Sequence, residues 1–175
     1  MNTARPAPEL DPEANPASVA RAIVLQQLTH SPKSRFQLGQ KLAERNIPVD
    51  VAEAVLDRFE AVKLIDDAEF ATLWVRSRSL HKHLARGALR RELAEKGIDP
   101  ELAQDALEQI DDDTELQQAR ELVQRKLRGS IDLGERSERD KYTRRWVAML
   151  ARKGFNPSMA YHVVGEVIDE HLSAD

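Results

Sequence analysis

The sequence of 175 residues contains no cysteine, which excludes disulfide bonds and thiolate metal sites. Glycine is scarce, with seven residues, and aromatic residues make up only 5% of the chain. Apolar and polar residues do not alternate with the period of a strand, and no run approaches the ~20 apolar residues of a membrane span. These absences predict an all-α protein without membrane segments, and we expect it in the cytoplasm.

The N-terminal segment also lacks any apolar run. It is instead rich in proline, with Pro6, Pro8, Pro12 and Pro16. Such composition cannot bury enough apolar surface to fold and does not fit a signal peptide. Residues 1–16 are therefore predicted to form a disordered tail.

What the chain does contain is one segment in three degenerate copies, which start at Leu42, Leu93 and Leu150. The copies are offset by 51 and 57 residues and read LAERNIPVDVAEAVL, LAEKGIDPELAQDAL and LARKGFNPSMAYHVV. Each copy begins with an apolar stripe at helical spacing, then has a stop, and then a second such stripe. Leu93 and Leu150 are predicted to be equivalent core positions.

The junction within each copy has the residue types of a helix end followed by a helix start. The stops are Asn46, Gly97 and Gly154, which are the residue types that most readily adopt positive φ. Asp99 and Asn156 are predicted N-caps, each followed by a proline at the first helical position. The first copy has Pro48 at the cap position instead, so we expect its second helix to begin differently.

An additional helix precedes each motif, at about 18–29, 67–80 and 114–127, and Ser34 is predicted to cap the second helix of the first triplet. The apolar stripes of these helices place Trp74, like Trp146 downstream, in the core. The fold class is therefore all-α, with three tandem three-helix repeats forming an elongated, curved array. The predicted repeats span 17–64, 65–111 and 112–172, the last with a loop at 129–137.

The net charge of −4 conceals two basic blocks, one on the second repeat and one on the third. Basic blocks of this kind suit phosphate groups or an acidic protein face, although ordinary solvated helices are charged too, and the sequence leaves both interpretations open. The candidate partner-binding or DNA-binding residues are Arg76, Arg78, Lys82, Arg86, Arg90, Arg91, Lys96, Arg125, Lys126, Arg128, Lys141, Arg144, Arg145, Arg152 and Lys153.

Catalytic and metal-binding patterns are weak. His81 and His83 are two residues apart, which points their rings to different sides of a helix. The run 111–113 of three aspartates lacks the glycine and glutamate of a calcium loop and is better explained as a helix cap. We therefore predict no enzyme, no metal site and no cofactor.

The central repeat resembles the RecX regulatory family. The resemblance is carried by the segment 64–71 (LIDDAEFA), by Trp74, Arg76 and Arg78, by 86–93 (RGALRREL) and by 96–98 (KGI). Tryptophan at position 74 departs from the more common tyrosine, and the loop at 129–137 is an insertion. The degenerate repeat extends the likeness to both flanking triplets.

The resemblance implies a negative regulator of homologous recombination, DNA repair and the SOS response to DNA damage. Members of the family bind the RecA recombinase filament on single-stranded DNA and inhibit its ATPase, strand-exchange and coprotease activities. Direct DNA contact is compatible with this role, whereas a membrane partner is not expected. We expect the chain to be a monomer.

Two alternatives remain open at this stage. Triplets of short helices also form helix-turn-helix regulators, with 86–96 as the recognition helix, although the pI of 5.8 argues against tight independent DNA binding. A helical adaptor for an unrelated partner is the second alternative, but the 51-residue offset does not match the common repeats of about 33 or 34 residues.

Overall fold

The computed structural model describes residues 15–128 and 131–174, and within these residues the chain has nine helices and no strand. The predicted all-α fold of three helical triplets is confirmed. The helices are α1 (Pro16–His30), α2 (Arg35–Ala43), α3 (Val49–Ala61), α4 (Asp67–Lys82), α5 (Arg86–Glu95), α6 (Pro100–Leu107), α7 (Asp112–Leu127), α8 (Arg136–Arg152) and α9 (Pro157–Ala174).

The first helix starts inside the segment that we predicted to be a disordered tail. The Asn15 side chain accepts a hydrogen bond of 2.9 Å from the Ala17 N–H, and Pro16 occupies the first turn, where its missing N–H costs nothing. Positions 15 and 16 therefore belong to the helix start, and the rest of the predicted tail lies outside the described residues. The predicted cap at Ser34 is confirmed as a capping box with Gln37.

The helix ends at the three stops have the same backbone conformation. Backbone φ is 57° at Asn46, 69° at Gly97 and 91° at Gly154, as the residue types predicted. After each stop the next N–H donates 3.1 Å to the carbonyl of the leucine that opens the motif: Ile47 to Leu42, Ile98 to Leu93, and Phe155 to Leu150. The apolar residue after the stop is buried each time, so the repeat in sequence is a repeat in geometry.

The helix starts that follow differ as expected. The Asp99 and Asn156 side chains each accept a hydrogen bond of 2.8 Å from the N–H two residues on. Pro48 makes no side-chain cap, and its helix begins at Val49 without one.

The described residues separate into two compact units, residues 15–70 and residues 71–128 with 131–174, and the boundary lies inside α4. In the first unit, α1, α2 and α3 enclose a core around Val24, Leu38, Leu42 and Leu56. In the second unit, Leu93 and Leu150 are both fully buried, in agreement with the prediction that they are equivalent. The cluster around Leu150 joins α7, α8 and α9 and also takes in Ala85.

Trp74 is a correction to the sequence analysis. The buried residues of α4 are Phe70, Ala71, Val75 and Ser79, whereas Leu73 is 47% exposed and Trp74 is half-buried at the edge. The indole N–H needs a polar partner, and at the edge of the buried face it reaches a carboxylate. Trp146 is buried as predicted.

The loop of the third repeat is shorter than predicted. Residues 129–130 lie outside the described residues, and α8 begins at Arg136, so Arg136 and Ser137 are helical rather than part of the loop. The first turn of α8 is polar, which left no apolar stripe to indicate the helix start. None of the helices in the described ranges is long and apolar enough to span a membrane.

Candidate basic binding surface

The basic residues of the second repeat divide into exposed and internally bound groups. Arg76, Lys82, Arg90 and Arg91 are exposed, and of these Arg90 donates a hydrogen bond of 2.9 Å to the Gln104 side chain. These four side chains are available to a partner. The remaining three predicted site residues of this block are held within the chain.

Trp74 holds two of those three. Its ring centroid lies 4.3 Å from the Arg78 guanidinium carbon and 4.2 Å from the Lys96 ammonium. The indole N–H donates 2.8 Å to a Glu92 carboxylate oxygen, which also lies 3.2 Å from Arg78 Nε. The Glu92 carboxylate thus offsets the charge of Arg78, and both Arg78 and Lys96 are held against the Trp74 ring.

Arg86 is the third residue that is bound internally. Its backbone N–H donates 2.7 Å to Glu115 Oε1, and its guanidinium donates to Glu115 Oε2 from Nε at 3.1 Å and from Nη2 at 2.8 Å. Asp112 receives a further hydrogen bond from the same guanidinium. The Glu115 side chain is only 5% exposed, and its hydrogen bonds, followed by that of Asp112, raise the pKa of Arg86. Arg86 therefore fastens the start of α5 to α7.

The second and third repeats also meet backbone to backbone. The Ala85 N–H donates 2.9 Å to the Lys153 carbonyl, and Lys153 Nζ donates 2.7 Å to the Lys82 carbonyl. A Cβ built on Gly154 would lie 2.1 Å from the Ala88 nitrogen, so only glycine fits there. This joint brings the end of α4 beside the end of α8, and with them the two basic blocks.

The third repeat supplies most of the available charge. Arg125 pairs with Glu121 at 3.5 Å and Lys141 with Glu138 at 3.0 Å. Among the described residues of the third repeat, five other predicted site residues form no ion pair and expose their side chains: Lys126, Arg128, Arg144, Arg145 and Arg152.

Three of these cations surround a cavity of about 310 Å³ between α7 and α8. Lys126 comes from α7, and Arg145 and Arg152 from α8. The other lining residues are Ile131, Tyr142, Trp146 and Met149, so the lining contains no carboxylate. Tyr142 packs against Trp146 with ring centroids 5.4 Å apart. Tyr142 was absent from the predicted site, although its position four residues before Trp146 on one helix indicates that the two rings are neighbours.

Burial, together with neighbouring cations, lowers the pKa of two basic groups at the joint between the second and third repeats. Burial, and then the charge of Lys126, lower the pKa of Lys153. Burial, and then Arg125 and Lys153, lower the pKa of His83, whose Nε2 lies 3.3 Å from an Arg125 nitrogen. No group of histidine and acidic residues in the described ranges is placed to hold a metal ion.

Two comparisons by sequence identify the family. A model of the first RecX three-helix domain matches residues 20–59, and a model of the second matches residues 66–107. Regulatory protein RecX of Streptomyces coelicolor is 46% identical over 160 residues, which is 91% of this chain and 83% of that protein. The chain belongs to the RecX family.

Further RecX proteins agree with this. Regulatory protein RecX of Mycolicibacterium vanbaalenii is 44% identical over 93% of this chain and 89% of its own length. The crystal structure of RecX from Lactobacillus salivarius has the same fold, with a TM-score of 0.73, 24% identity, and coverage of 89% of this chain and 96% of that one. A second RecX crystal structure, also with a TM-score of 0.73, is 25% identical over 90% of this chain and 79% of its own.

We expect His83 to make this RecX-family protein less stable in mild acid. Its folded-state pKa is lowered, so below about pH 6.5 the unfolded chain binds a proton that the folded chain does not yet bind. The contribution of neutral His83 to the free energy of unfolding is therefore complete above that pH, and it is lost as the pH falls toward the folded-state pKa. His83 has a φ of 50°, and asparagine tolerates that conformation.

The variant His83→Asn isolates this effect. Urea unfolding of the parent and the variant between pH 8 and pH 5 should show the parent losing more free energy of unfolding than the variant as the pH falls. Identical pH profiles would mean that the cations around His83 do not disfavour its protonation.

Proposed function

We propose that this chain binds the RecA filament on single-stranded DNA and inhibits its ATPase, strand-exchange and coprotease activities. Membership of the RecX family supports the regulatory role, and the observation that carries the binding proposal is the group of five unpaired cations on the third repeat. Through such binding the chain would act as a negative regulator of homologous recombination and DNA repair.

Binding alone is sufficient for such regulation. A partner that binds one filament state more tightly than another shifts the filament toward that state by its differential affinity and needs no catalytic group. Exposed cations without internal partners are suited to this because their charge is not already compensated within the chain. The joint between the second and third repeats places Arg90 and Arg91 in the same compact unit as the cations of α7 and α8.

Charge reversal tests the proposal. Changing Arg144, Arg145 and Arg152 to Glu should raise the concentration needed for half-maximal inhibition of recombinase ATP hydrolysis by about tenfold or more, since like charge at an interface costs several kcal/mol. All three positions are exposed, so each change should alter stability by less than about 0.5 kcal/mol. ATP hydrolysis on single-stranded DNA is measured against the concentration of each variant, and melting curves check folding.

A matched control comes from the first unit. Arg21, Arg45 and Arg58 are also exposed and form no ion pair in the described chain, so changing them to Glu alters the net charge equally. This control should inhibit as the parent does. If the third-repeat variant is folded and inhibits as well as the control, the cations of α7 and α8 are only a solvated surface.

The second candidate function is that of a regulator that binds DNA directly through a helix-turn-helix motif. The exposed Arg90 and Arg91 on α5 favour it, whereas the internal hydrogen bonds of Arg86 and the net charge of −4 do not. Pull-down by recombinase filaments and by naked duplex DNA at the same salt separates the two candidates, because only the second predicts retention on duplex DNA without the recombinase.

A further inference from the structure

The cavity between α7 and α8 differs chemically from the other basic cavity of the second unit. That other cavity, of about 530 Å³, is lined by Arg86, Arg90 and Arg91 but also by Glu108 and Glu115. In the α7–α8 cavity, three cations face an apolar wall and no carboxylate contributes to the lining. The formal charge of the lining is therefore +3 in the α7–α8 cavity, whereas two carboxylates offset all but one of the three positive charges in the other cavity.

We propose that the α7–α8 cavity binds one nucleotide unit of a single-stranded nucleic acid. Lys126, Arg145 and Arg152 hold the phosphate, and the base packs against the wall formed by Ile131, Tyr142 and Met149. This assignment deepens the proposed function and rests on it for its biological role, because it names what the third repeat contacts on a filament that carries DNA.

The charges of the three cations are available to a phosphate ligand. None of the three forms an ion pair within residues 15–128 and 131–174, so a phosphate need not displace a carboxylate. The three side chains line one cavity of about 310 Å³, so a single phosphate can contact more than one of them. Each Arg can in addition bind two phosphate oxygens at once.

The apolar wall of the cavity favours a nucleotide over an acidic protein side chain as the ligand. A carboxylate on a protein surface needs the cations but has no flat apolar group to place against Tyr142. Bases stack on or pack against aromatic side chains in a largely sequence-independent manner. Trp146 is 3% exposed and packs against Tyr142 from the core, so a buried residue supports the Tyr142 ring.

The test measures binding to the full chain without the recombinase. The probe is a fluorescent thymidine oligonucleotide of about twelve nucleotides, and anisotropy is recorded at several salt concentrations. Changing Arg145 and Arg152 together to Gln should weaken binding about tenfold or more at low salt and should reduce the slope of log affinity against log salt by about 1.4. The control that changes Arg45 and Arg58 to Gln should keep the slope of the parent.

Two further probes test the base contact. Tyr142→Leu keeps an apolar side chain but removes the ring, and should weaken thymidine binding by about fivefold or more while leaving an abasic strand of equal length unaffected. If the parent binds the abasic strand as tightly as the thymidine strand, the cavity does not take a base and the proposal is wrong. A polyglutamate peptide that competes as well as the oligonucleotide would overturn it in favour of an acidic protein partner.

The outcomes for the cavity and for the proposed function are separable. Unchanged oligonucleotide affinity and salt slope in the variant with Arg145 and Arg152 changed would refute the cavity assignment, whatever the chain does to ATP hydrolysis. Absence of inhibition by the parent chain would refute the proposed function and would leave the oligonucleotide measurements unaffected.

Discussion

Replacing Gly154 with alanine should destabilise the protein by about 2–6 kcal/mol. The residue has a φ of 91°, which strains any L side chain. In addition, the new Cβ would lie 2.1 Å from the Ala88 nitrogen and 2.6 Å from the Ala88 Cβ. Both distances are much shorter than van der Waals contact, so the atoms would clash. The backbone of α5 must therefore move away from the stop between α8 and α9, and the joint between the second and third repeats opens.

The matched control for this variant is Gly165→Ala. Gly165 lies in α9, and a Cβ there meets no atom within 4 Å. Alanine is the better helix former, so this change should be neutral or stabilise the protein by up to about 1 kcal/mol. Both free energies of unfolding are obtained from urea titration. Equal stability of the two variants would show that the close approach of Gly154 to Ala88 is not maintained in solution.

Arg86→Met should cost about 2–4 kcal/mol, because it leaves the Glu115 carboxylate buried with only the Arg86 backbone N–H as a hydrogen-bond donor from α5. The figure is below the full cost of breaking a buried ion pair because the Arg86 side chain is 33% exposed and water can partly replace it. Methionine retains the apolar part of the side chain, so the loss reports on charge and hydrogen bonding more than on packing.

A second substitution tests whether the loss of stability comes from the unpaired Glu115 carboxylate. Adding Glu115→Leu to Arg86→Met removes the unpaired carboxylate and should recover most of the lost stability, since an apolar pair of similar size is often as stable as a buried ion pair. Arg91→Met serves as the control because Arg91 is exposed on the same helix. If Arg86→Met and Arg91→Met have equal effects in urea unfolding, Glu115 does not depend on Arg86.

Because Arg86 pairs with Glu115, it is unsuitable for charge reversal on the binding surface. Reversing Arg86 together with Arg90 and Arg91 would place two carboxylates beside each other at the joint, so a loss of inhibition would be confounded by unfolding. Changing Arg76, Arg90 and Arg91 to Glu reverses three exposed charges on the second repeat and leaves the pair intact.

The sequence alone was sufficient for most features that depend on a few consecutive residues, although the starts of α1 and α8 were misplaced. The left-handed stops at Asn46, Gly97 and Gly154 were predictable because positive φ is a property of one residue and its hydrogen bonds span only five or six. The caps at Ser34, Asp99 and Asn156 follow from the same local chemistry. The helical triplets follow from the periodicity of their apolar residues, and the family follows from the motif of the central repeat.

The tertiary structure decided which of the predicted cations are available. Arg86 and Glu115 are 29 residues apart in the chain, and only the packing of α5 against α7 brings them together. The positions of Arg78 and Lys96 over Trp74 likewise depend on the packing of α4 and α5. The α7–α8 cavity depends on Lys126 meeting Arg145 and Arg152 across two helices. Charge counts along a sequence treat every arginine alike, whereas pairing depends on contacts between helices that no local pattern encodes.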